Sequence, residues 1–353
     1  MRSILKREVK NYMKNPLLWL GIVIGVFTVF QNVSPYLNIH YLREGETIVN
    51  DYPQNYRDGD VSCGYVPTEK ALRREMWEER IQEVLTSEFE MDNEGALSVI
   101  DDMKGMDLKT ACAHLEGYGF YNAYYEYENT AYHKGTREEI NSYISERLEN
   151  RAFSYYFSRK FADFAGLFMG FFATVLLSVL FMQDTRRNTY ELLHTKPVSA
   201  GKYLSGKVGG GFAVCLIILV ALNLIFFGIC LASTRNSGFE VRLTDFLVAS
   251  CFYILPNMLM IVSVYSLISL LFKSPLPAVP FLFLYIVYSM GSRNAEGIYG
   301  YYGRPLAIMV RFPGGFFDTA PPPMALLNQS FLILAAICIV FLSMQIWKRR
   351  RVY

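Results

Sequence analysis

The chain has 353 residues, of which 52% are hydrophobic and only 19% charged, with a formal net charge of +2. The apolar residues are clustered: the stretches 164–182, 208–232, 246–272, 274–290 and 325–347 contain no Asp, Glu, Lys or Arg. At ~1.5 Å per residue most of them can cross a hydrocarbon core of ~30 Å. Such a chain is a polytopic helical membrane protein, and the pattern excludes a soluble enzyme, a nucleic-acid-binding protein, a secreted disulfide scaffold and a disordered chain.

Residues 1–16 read as an amphipathic helix in the cytoplasmic interface. Ile4, Leu5, Val9, Tyr12 and Met13 share one helical face, Lys6, Arg7, Lys10 and Lys14 flank it, and Pro16 ends it. A first span follows at 17–37. Its strictly apolar run, Leu17 to Phe30, is short enough to suggest a cleaved signal peptide. No small-x-small site follows, however, and the preceding basic segment is itself patterned, which favours an uncleaved span.

From 38 to 160 the composition changes completely. This segment holds 24 of the 32 acidic side chains and 14 of the 34 basic ones, so an acidic soluble domain is inserted into a basic membrane protein. Thr68 stands as an N-cap before a helix carrying Leu72, Met76, Ile81, Leu85 and Phe89. A second helical pattern through Ile140, Ile144, Leu148 and Tyr155 runs on toward the next span. Between them lies a tyrosine-rich stretch with Tyr118, Tyr121, Tyr124, Tyr125, Tyr127 and Tyr132, read either as a small core beside the membrane surface or as a binding surface. Cys63 and Cys112 are the only cysteines here, which leaves a disulfide between them open in an oxidising compartment; Cys215, Cys230, Cys251 and Cys338 lie within spans.

Five further spans are read at 161–182, 207–232, 245–272, 275–290 and 326–347, the fifth of the six being short. The fold class is therefore an all-α polytopic membrane protein with six transmembrane helices and a mainly helical extracellular domain between helices 1 and 2. In the fourth span, Phe246 to Phe272 would make a helix of ~40 Å, and Pro256 removes one backbone hydrogen bond within it. A kink or local break is expected at Pro256, with Asn257 placed to satisfy a freed backbone group, either as a hinge or as a bend without a role.

Orientation follows from Lys and Arg. The N-terminus, the segment between spans two and three, Lys273 and the C-terminal tail together carry 15 basic side chains against Glu8, Asp184 and Glu191. With six spans all four segments fall on one side, so both termini are cytoplasmic in a multi-pass plasma-membrane protein. The opposite side receives the acidic domain, a short loop near 233–244 and a longer loop at 291–324.

Chemistry-bearing patterns are scarce. Gly201, Gly206 and Lys207 imitate a phosphate-binding loop, but Val208 stands where the Mg²⁺-ligating Ser or Thr belongs, and a span follows. No ATP site fits the short cytoplasmic segments. The four histidines are scattered, no Cys-x-x-Cys pair exists, and ionisable groups in the spans reduce to Asp163 and Asp245 at their edges, which argues against an enzyme or a proton-coupled carrier. No catalytic, cofactor or metal site is expected on this chain.

The cytoplasmic segment 183–207, QDTRRNTYELLHTKPVSAGKYLSGK, is the most informative. A short helix from Arg187 to His194 would display Tyr190, Leu192 and Leu193 as apolar knobs before Lys196-Pro197 stops it. A plain basic connector has no reason to display such a face, whereas a docking helix does.

The order of an interfacial helix, a first span, an outside domain, a second span, the pattern D-x-R-R-x-x-x-E-L-L-x-x-x-P-V-S-x-x-x-Y-x-x-x-K, four more spans and an outside loop before the last resembles the permease subunit of type-2 (ABC-2 type) ABC exporters. The pattern residues are Asp184, Arg186, Arg187, Glu191, Leu192, Leu193, Pro197, Val198, Ser199, Tyr203 and Lys207. The resemblance implies a coupling helix in 183–207 that docks on a cytoplasmic ABC ATPase subunit, through Arg187, Tyr190, Glu191, Leu192, Leu193, His194 and Pro197. ATP and Mg²⁺ would be held by that partner. It implies an outside gate at 291–324 with Tyr299, Tyr301, Tyr302, Pro313, Gly314 and Gly315, and a second permease copy or a paralogue completing the pathway among membrane lipids. Many members lack the acidic insert. A membrane sensor or assembly protein with a ligand-binding extracellular domain is the competing reading; an ATPase reading frame beside the gene favours export, and a lone histidine kinase favours sensing.

Single cysteines introduced near residue 95 and near residue 195 test the topology. The first should react with a membrane-impermeant thiol reagent from outside and the second only after permeabilisation; reaction of both from outside removes the six-span arrangement.

Overall fold

The computed structural model describes residues 2–46, 59–185, 199–290 and 304–350. It divides into two compact units. One comprises Met1–Asn38, Arg151–Pro313 and Asp318–Tyr353, and the other Ile39–Asn150 together with Gly314–Phe317.

The chain enters through α1 (Arg2–Met13) and α2 (Pro16–Val33), where Asn15 caps α2 by accepting from the Leu17 N–H at 3.0 Å and Pro16 occupies the first turn. The inserted unit then contains α3 (Lys70–Ser87), α4 (Asn93–Asp102), α5 (Leu108–Glu116), α6 (Ala123–Asn129) and α7 (Arg137–Asn150). A small antiparallel ladder joins β1 (Tyr65–Pro67) to β2 (Tyr132–Lys134), with Val66 opposite His133. Its core forms around Trp77, Ile81, Val84 and Leu85 on one face of α3, packed by Ala96, Val99, Leu115 and Phe120 from the following helices. The Trp77 indole N–H donates to the Ala123 carbonyl at 2.8 Å, so its polar edge is satisfied inside the core. The tyrosine-rich stretch divides accordingly: Tyr127 packs edge-on against Trp77 under the Arg73 guanidinium, while Tyr118 and Tyr121 are exposed.

Thr68 is not the cap of α3. The helix starts at Lys70, and Thr68 instead extends the ladder, its N–H donating to Ala131 at 3.0 Å and its hydroxyl meeting His133 Nδ1 at 3.2 Å. Nor does α7 run into the next span, since the chain breaks at Arg151–Ala152 and Tyr155 belongs to a new helix. The structure also does not bridge Cys63 to Cys112. Cys112 is a free thiol turned toward the Trp77 core from α5, whereas Cys63 closes a short 3₁₀ turn ahead of β1.

The membrane unit continues with α8 (Phe153–Thr185), α9 (Ala200–Thr234), α10 (Leu243–Tyr253), α11 (Leu255–Phe272), α12 (Ala278–Met290) and α13 (Ala325–Arg350). Among the described residues five segments are long and apolar enough to cross a membrane: Pro16–Asn38, Phe153–Val179, Ala200–Thr234, Leu243–Phe272 and Ala325–Arg349. The expected fifth span is α12, apolar but only 13 residues, or ~20 Å long. The result is a mostly helical, multi-pass membrane architecture.

At its centre α8 packs against α2, α9, α10, α11 and α12, and α11 lies between α8 and α13. The approach of α2 depends on Gly21 and Gly25. A Cβ at these positions would fall 1.9 Å from the Phe172 ring and 2.4 Å from the Phe168 ring, so this small-xxx-small pair lets two stacked phenylalanines of α8 lie on the α2 backbone. Further along α8, Phe157 and Phe161 pack on Phe246 of α10, and Phe161 also meets Phe226 of α9.

The inserted unit can be tested through Cys112, whose thiol burial pushes above its ordinary pKa, with the Glu116 carboxylate adding to the shift. Only the thiolate is nucleophilic, so Cys112 should alkylate slowly near neutral pH and faster as pH rises. Trp77→Ala, expected to cost about 3–5 kcal/mol, should open the core and speed that reaction at constant pH. Equal rates in both proteins would place Cys112 outside the Trp77 core.

Candidate functional site

After Met290 the description resumes at Arg304, and the residues from there to Pro323 form no regular helix. Nevertheless Ala307, Ile308, Met309, Val310 and Phe312 are buried. Non-helical backbone packed among spans must have its N–H and C=O groups satisfied by the protein. The spans supply the partners. Tyr285 of α12 donates its hydroxyl to the Leu306 carbonyl at 2.6 Å, and the Ile308 N–H donates to Ser289 Oγ at 3.0 Å. From α13, Asn328 Nδ2 donates to the Ala307 carbonyl at 2.9 Å.

The strongest contacts come from α8. Arg311 forms a two-pronged pair with Asp163, Nε to Oδ1 and Nη2 to Oδ2, the second at 3.4 Å. Lys160 Nζ donates to the Phe312 carbonyl at 3.3 Å, and Arg159 Nη1 to the Thr319 carbonyl at 2.8 Å. Arg159 and Asp163 are four residues apart, so both project toward the loop from successive turns. Arg159 is braced by Tyr155, over whose ring its guanidinium lies at 4.0 Å, and Lys160 lies 5.6 Å over the ring of Tyr36. The Asp163 side chain is only 6% exposed, so this clamp sets two cations and one carboxylate in a largely dry setting.

The clamp adjoins the break in the fourth span. Helix α10 ends at Tyr253, Ile254 takes φ −115° and ψ −48°, and α11 starts at Leu255 with Pro256 in its first turn. Asn257 Nδ2 donates to the Tyr253 carbonyl at 2.7 Å, one residue beyond the Phe252 carbonyl that Pro256, lacking an N–H, leaves without its i−4 donor. The Tyr253 ring meets Phe312 edge-on at 5.0 Å, so one residue touches both the break and the clamped loop.

Of the expected gate residues, Tyr299, Tyr301 and Tyr302 lie outside the described residues. Pro313 ends the portion of the loop in the membrane unit, while Gly314 and Gly315 fall in the inserted unit. Gly314 adopts the left-handed φ of +89°, and the next N–H but one, that of Phe316, donates to Asp60 Oδ2 at 2.6 Å. A Cβ on Gly315 would come within 3.2 Å of the Tyr132 hydroxyl.

The expected coupling residues Arg187, Tyr190, Glu191, Leu192, Leu193, His194 and Pro197 also lie outside the described residues. The chain just after them is described, and it is anchored at every fourth residue. Ser199 caps α9 by accepting from the Lys202 N–H, Tyr203 stacks on Trp347 of α13 at 4.3 Å, and Lys207 Nζ pairs with Glu8 Oε2 at 3.3 Å. That last pair is almost fully buried and fastens α1 to α9. Gly210 makes room for it, since a Cβ there would stand 2.7 Å from the Glu8 Cβ. Sequence reasoning counted Glu8 as a cytoplasmic charge and Lys207 as a charge and a pattern residue, but did not pair them; the signal for a pair was a lone acid on the apolar side of a basic amphipathic helix.

Among the described residues no group of three or more His, Cys, Asp and Glu side chains could hold a metal ion. A family model described as "ABC-2 family transporter protein" matches residues 2–295. No curated protein and no solved structure matches the chain.

Removing one member of the clamp should cost far more than removing both. Asp163→Asn leaves the buried Lys160 and the part-buried Arg311 without their carboxylate, a loss of at most about 3–5 kcal/mol, whereas Asp163→Leu combined with Arg311→Met should recover most of it. Thermal unfolding of the purified protein in detergent measures both; simple addition of the two single-variant losses would mean that the groups are not coupled.

Proposed function

Because the chain belongs to the ABC-2 family of transporter proteins, we propose that it is the permease subunit of an ATP-driven exporter, non-catalytic itself and coupled to a separate cytoplasmic ATPase subunit. The observation that carries this reading is the family match over most of the chain, together with a cytoplasmic charge bias that leaves 183–207 as the longest segment facing an ATPase. In this reading α12 is counted as the fifth span, which brings the number to six, both termini are cytoplasmic and the acidic unit is extracellular. Residues Arg187 to Pro197 form the coupling helix. The anchors at Ser199, Tyr203 and Lys207 support that role, since a lever transmits a push only if its far end is fixed in the bundle.

The clamped loop is the outside gate, and the Pro256–Asn257 break is the hinge beside it. Tyr253 supports the pairing: bending at Ile254 would move the ring that packs on Phe312. A second permease, identical or a paralogue, completes the pathway, because a single bundle offers one coupling segment for an ATPase pair. Spans with so few charges suit an amphipathic or lipid-like cargo better than a small ion.

Affinity purification of the full chain in mild detergent, with identification of the co-purifying ATPase, tests the assignment. Replacing Leu192 and Leu193 with Asp should put charges into a hydrophobic groove and cost several kcal/mol at the contact, about a hundredfold or more in affinity. ATPase recovery should then fall sharply with membrane insertion intact; undiminished recovery would return 183–207 to the status of a connector.

A further inference from the structure

Between the start of the clamped loop and the first turns of α13 lies a groove of about 570 Å³, within the ~300–1,000 Å³ range of small-ligand sites. Its wall is apolar, built from Leu306, Met309, Val310, Leu327 and Phe331 among others, and Arg304 and Asn328 are its only polar members. Pro305, Pro322 and Pro323 also line it, and proline offers no N–H donor. The Asn328 amide N–H is committed to the Ala307 carbonyl. Arg304 is thus the one charged side chain among the described residues that line the groove, and one of the two Asn328 amide N–H groups is already in use.

Arg304 differs from the other arginines of this loop region. Arg311 is paired with Asp163 and Arg159 is bound to a carbonyl, whereas among the described residues no carboxylate pairs with Arg304. Its guanidinium lies 4.8 Å over the Tyr288 ring, and its Nε–H is buried without an acceptor. A buried guanidinium N–H lacking a partner is costly, and the planar fork is the geometry that a phosphate or carboxylate satisfies. The rim supplies the second constraint. Met324, Leu326, Leu327 and Phe331 are about half exposed or more at the beginning of the last apolar helix, where exposed apolar side chains of a span meet lipid. The groove therefore opens toward lipid, and the apolar material available to fill it is an acyl chain.

We propose that this groove holds one phospholipid of the adjoining leaflet, with an acyl chain along Leu306, Leu327 and Phe331 and the phosphate on Arg304. Such a lipid would lie against the same loop that Arg311 and Lys160 clamp from the other side, so its presence would add to the forces keeping that loop in place. The assignment needs only the multi-pass membrane character of the chain and stands apart from ATPase coupling.

Delipidated full-length protein, titrated by native mass spectrometry with phosphatidylglycerol and with diacylglycerol of the same chains, tests it. The wild type should retain phosphatidylglycerol in preference to diacylglycerol. Arg304→Gln should weaken phosphatidylglycerol by about tenfold, to the diacylglycerol level, and Leu327→Trp, which fills the groove, should weaken both lipids. Equal retention of both lipids by the wild type, an unchanged phosphatidylglycerol affinity in Arg304→Gln, or full displacement by inorganic phosphate alone would overturn the proposal. If Arg304→Gln yields no folded protein, Phe331→Trp asks the same question: its added emission should be quenched by phosphatidylglycerol with brominated chains, and no quenching beyond that of the native tryptophans would overturn the site.

Discussion

Residues 307–310 and 312, ahead of α13, are buried without being helical, and the hydrogen-bond demand of the backbone around them organises the end of the bundle. A helix satisfies its own polar groups, so a span can be apolar throughout; a loop in the same surroundings cannot. That demand explains why polar side chains in otherwise apolar helices sit where they do. Tyr285 and Ser289 on α12, Asn328 on α13, and Arg159 and Lys160 on α8 each answer a particular N–H or C=O of this loop. The Arg311–Asp163 pair then fixes the loop laterally. Its value lies more in specificity than in net stabilisation, because two desolvated charges recover little beyond their own solvation cost while making every alternative register of the loop expensive.

A rigid clamp would be of little use to a transporter unless something beside it could move. The fourth span offers that element. Helices α10 and α11 are interrupted at Ile254, where Pro256 leaves the Phe252 carbonyl without a ladder donor and the amide of Asn257 adds a side-chain bond to the neighbouring Tyr253 carbonyl. A side-chain substitute reforms at several backbone angles, whereas an i to i−4 ladder bond does not. The break is thus stable at rest yet less restrictive than continuous helix, and Phe312 of the clamped loop rests on the ring at its edge. The link between break and gate is spatial here, and its energetic coupling is part of the proposed function.

Local rules made parts of this arrangement legible in the sequence and left others hidden. The charge-free runs and the long apolar run near the N-terminus made the five long apolar helices legible, and the acidic excess marked the stretch 38–160 as different in kind, because both signals are averages over many positions. Pro256 announced its break, since the missing N–H and the ring clash act within one turn. The start of α8 was missed: Arg159 and Lys160 look like the end of a soluble domain when hydropathy is read along the chain, and only residues some 150 positions later show why they belong to the bundle. Asp163 and Arg311 met the same fate, one read as a carboxylate at a span edge and the other as a loop charge. Thr68 failed for a related reason, since the ladder with β2 takes the backbone that a cap would have used. The loop at 291–324 was singled out only by the family resemblance, and the bonding partners of its described part are long-range and carry no local signature.

The pattern S-x-x-x-Y-x-x-x-K after the proposed coupling helix shows how one stretch can be read three ways. As letters, Gly201 to Lys207 imitates a phosphate loop; as a family pattern it marks the entry to the third span; as structure it is a row of anchors one helical turn apart. Ser199, Tyr203 and Lys207 recur at a spacing close to the 3.6-residue period, so they descend one side of α9 and meet different elements in turn: the helix's own first N–H groups, Trp347 at the end of α13, and Glu8 of α1. The last of these is the strictest, because Lys207 is buried and stays charged there at low cost only while Glu8 faces it. The N-terminal helix is consequently held by more than its apolar face, and any displacement of the first turns of α9 must carry α1 with it or separate a buried ion pair. Motion arriving through residues 183–198 would therefore spread to α1 and α13 together, as a movement of the whole end of the bundle that these three helices share.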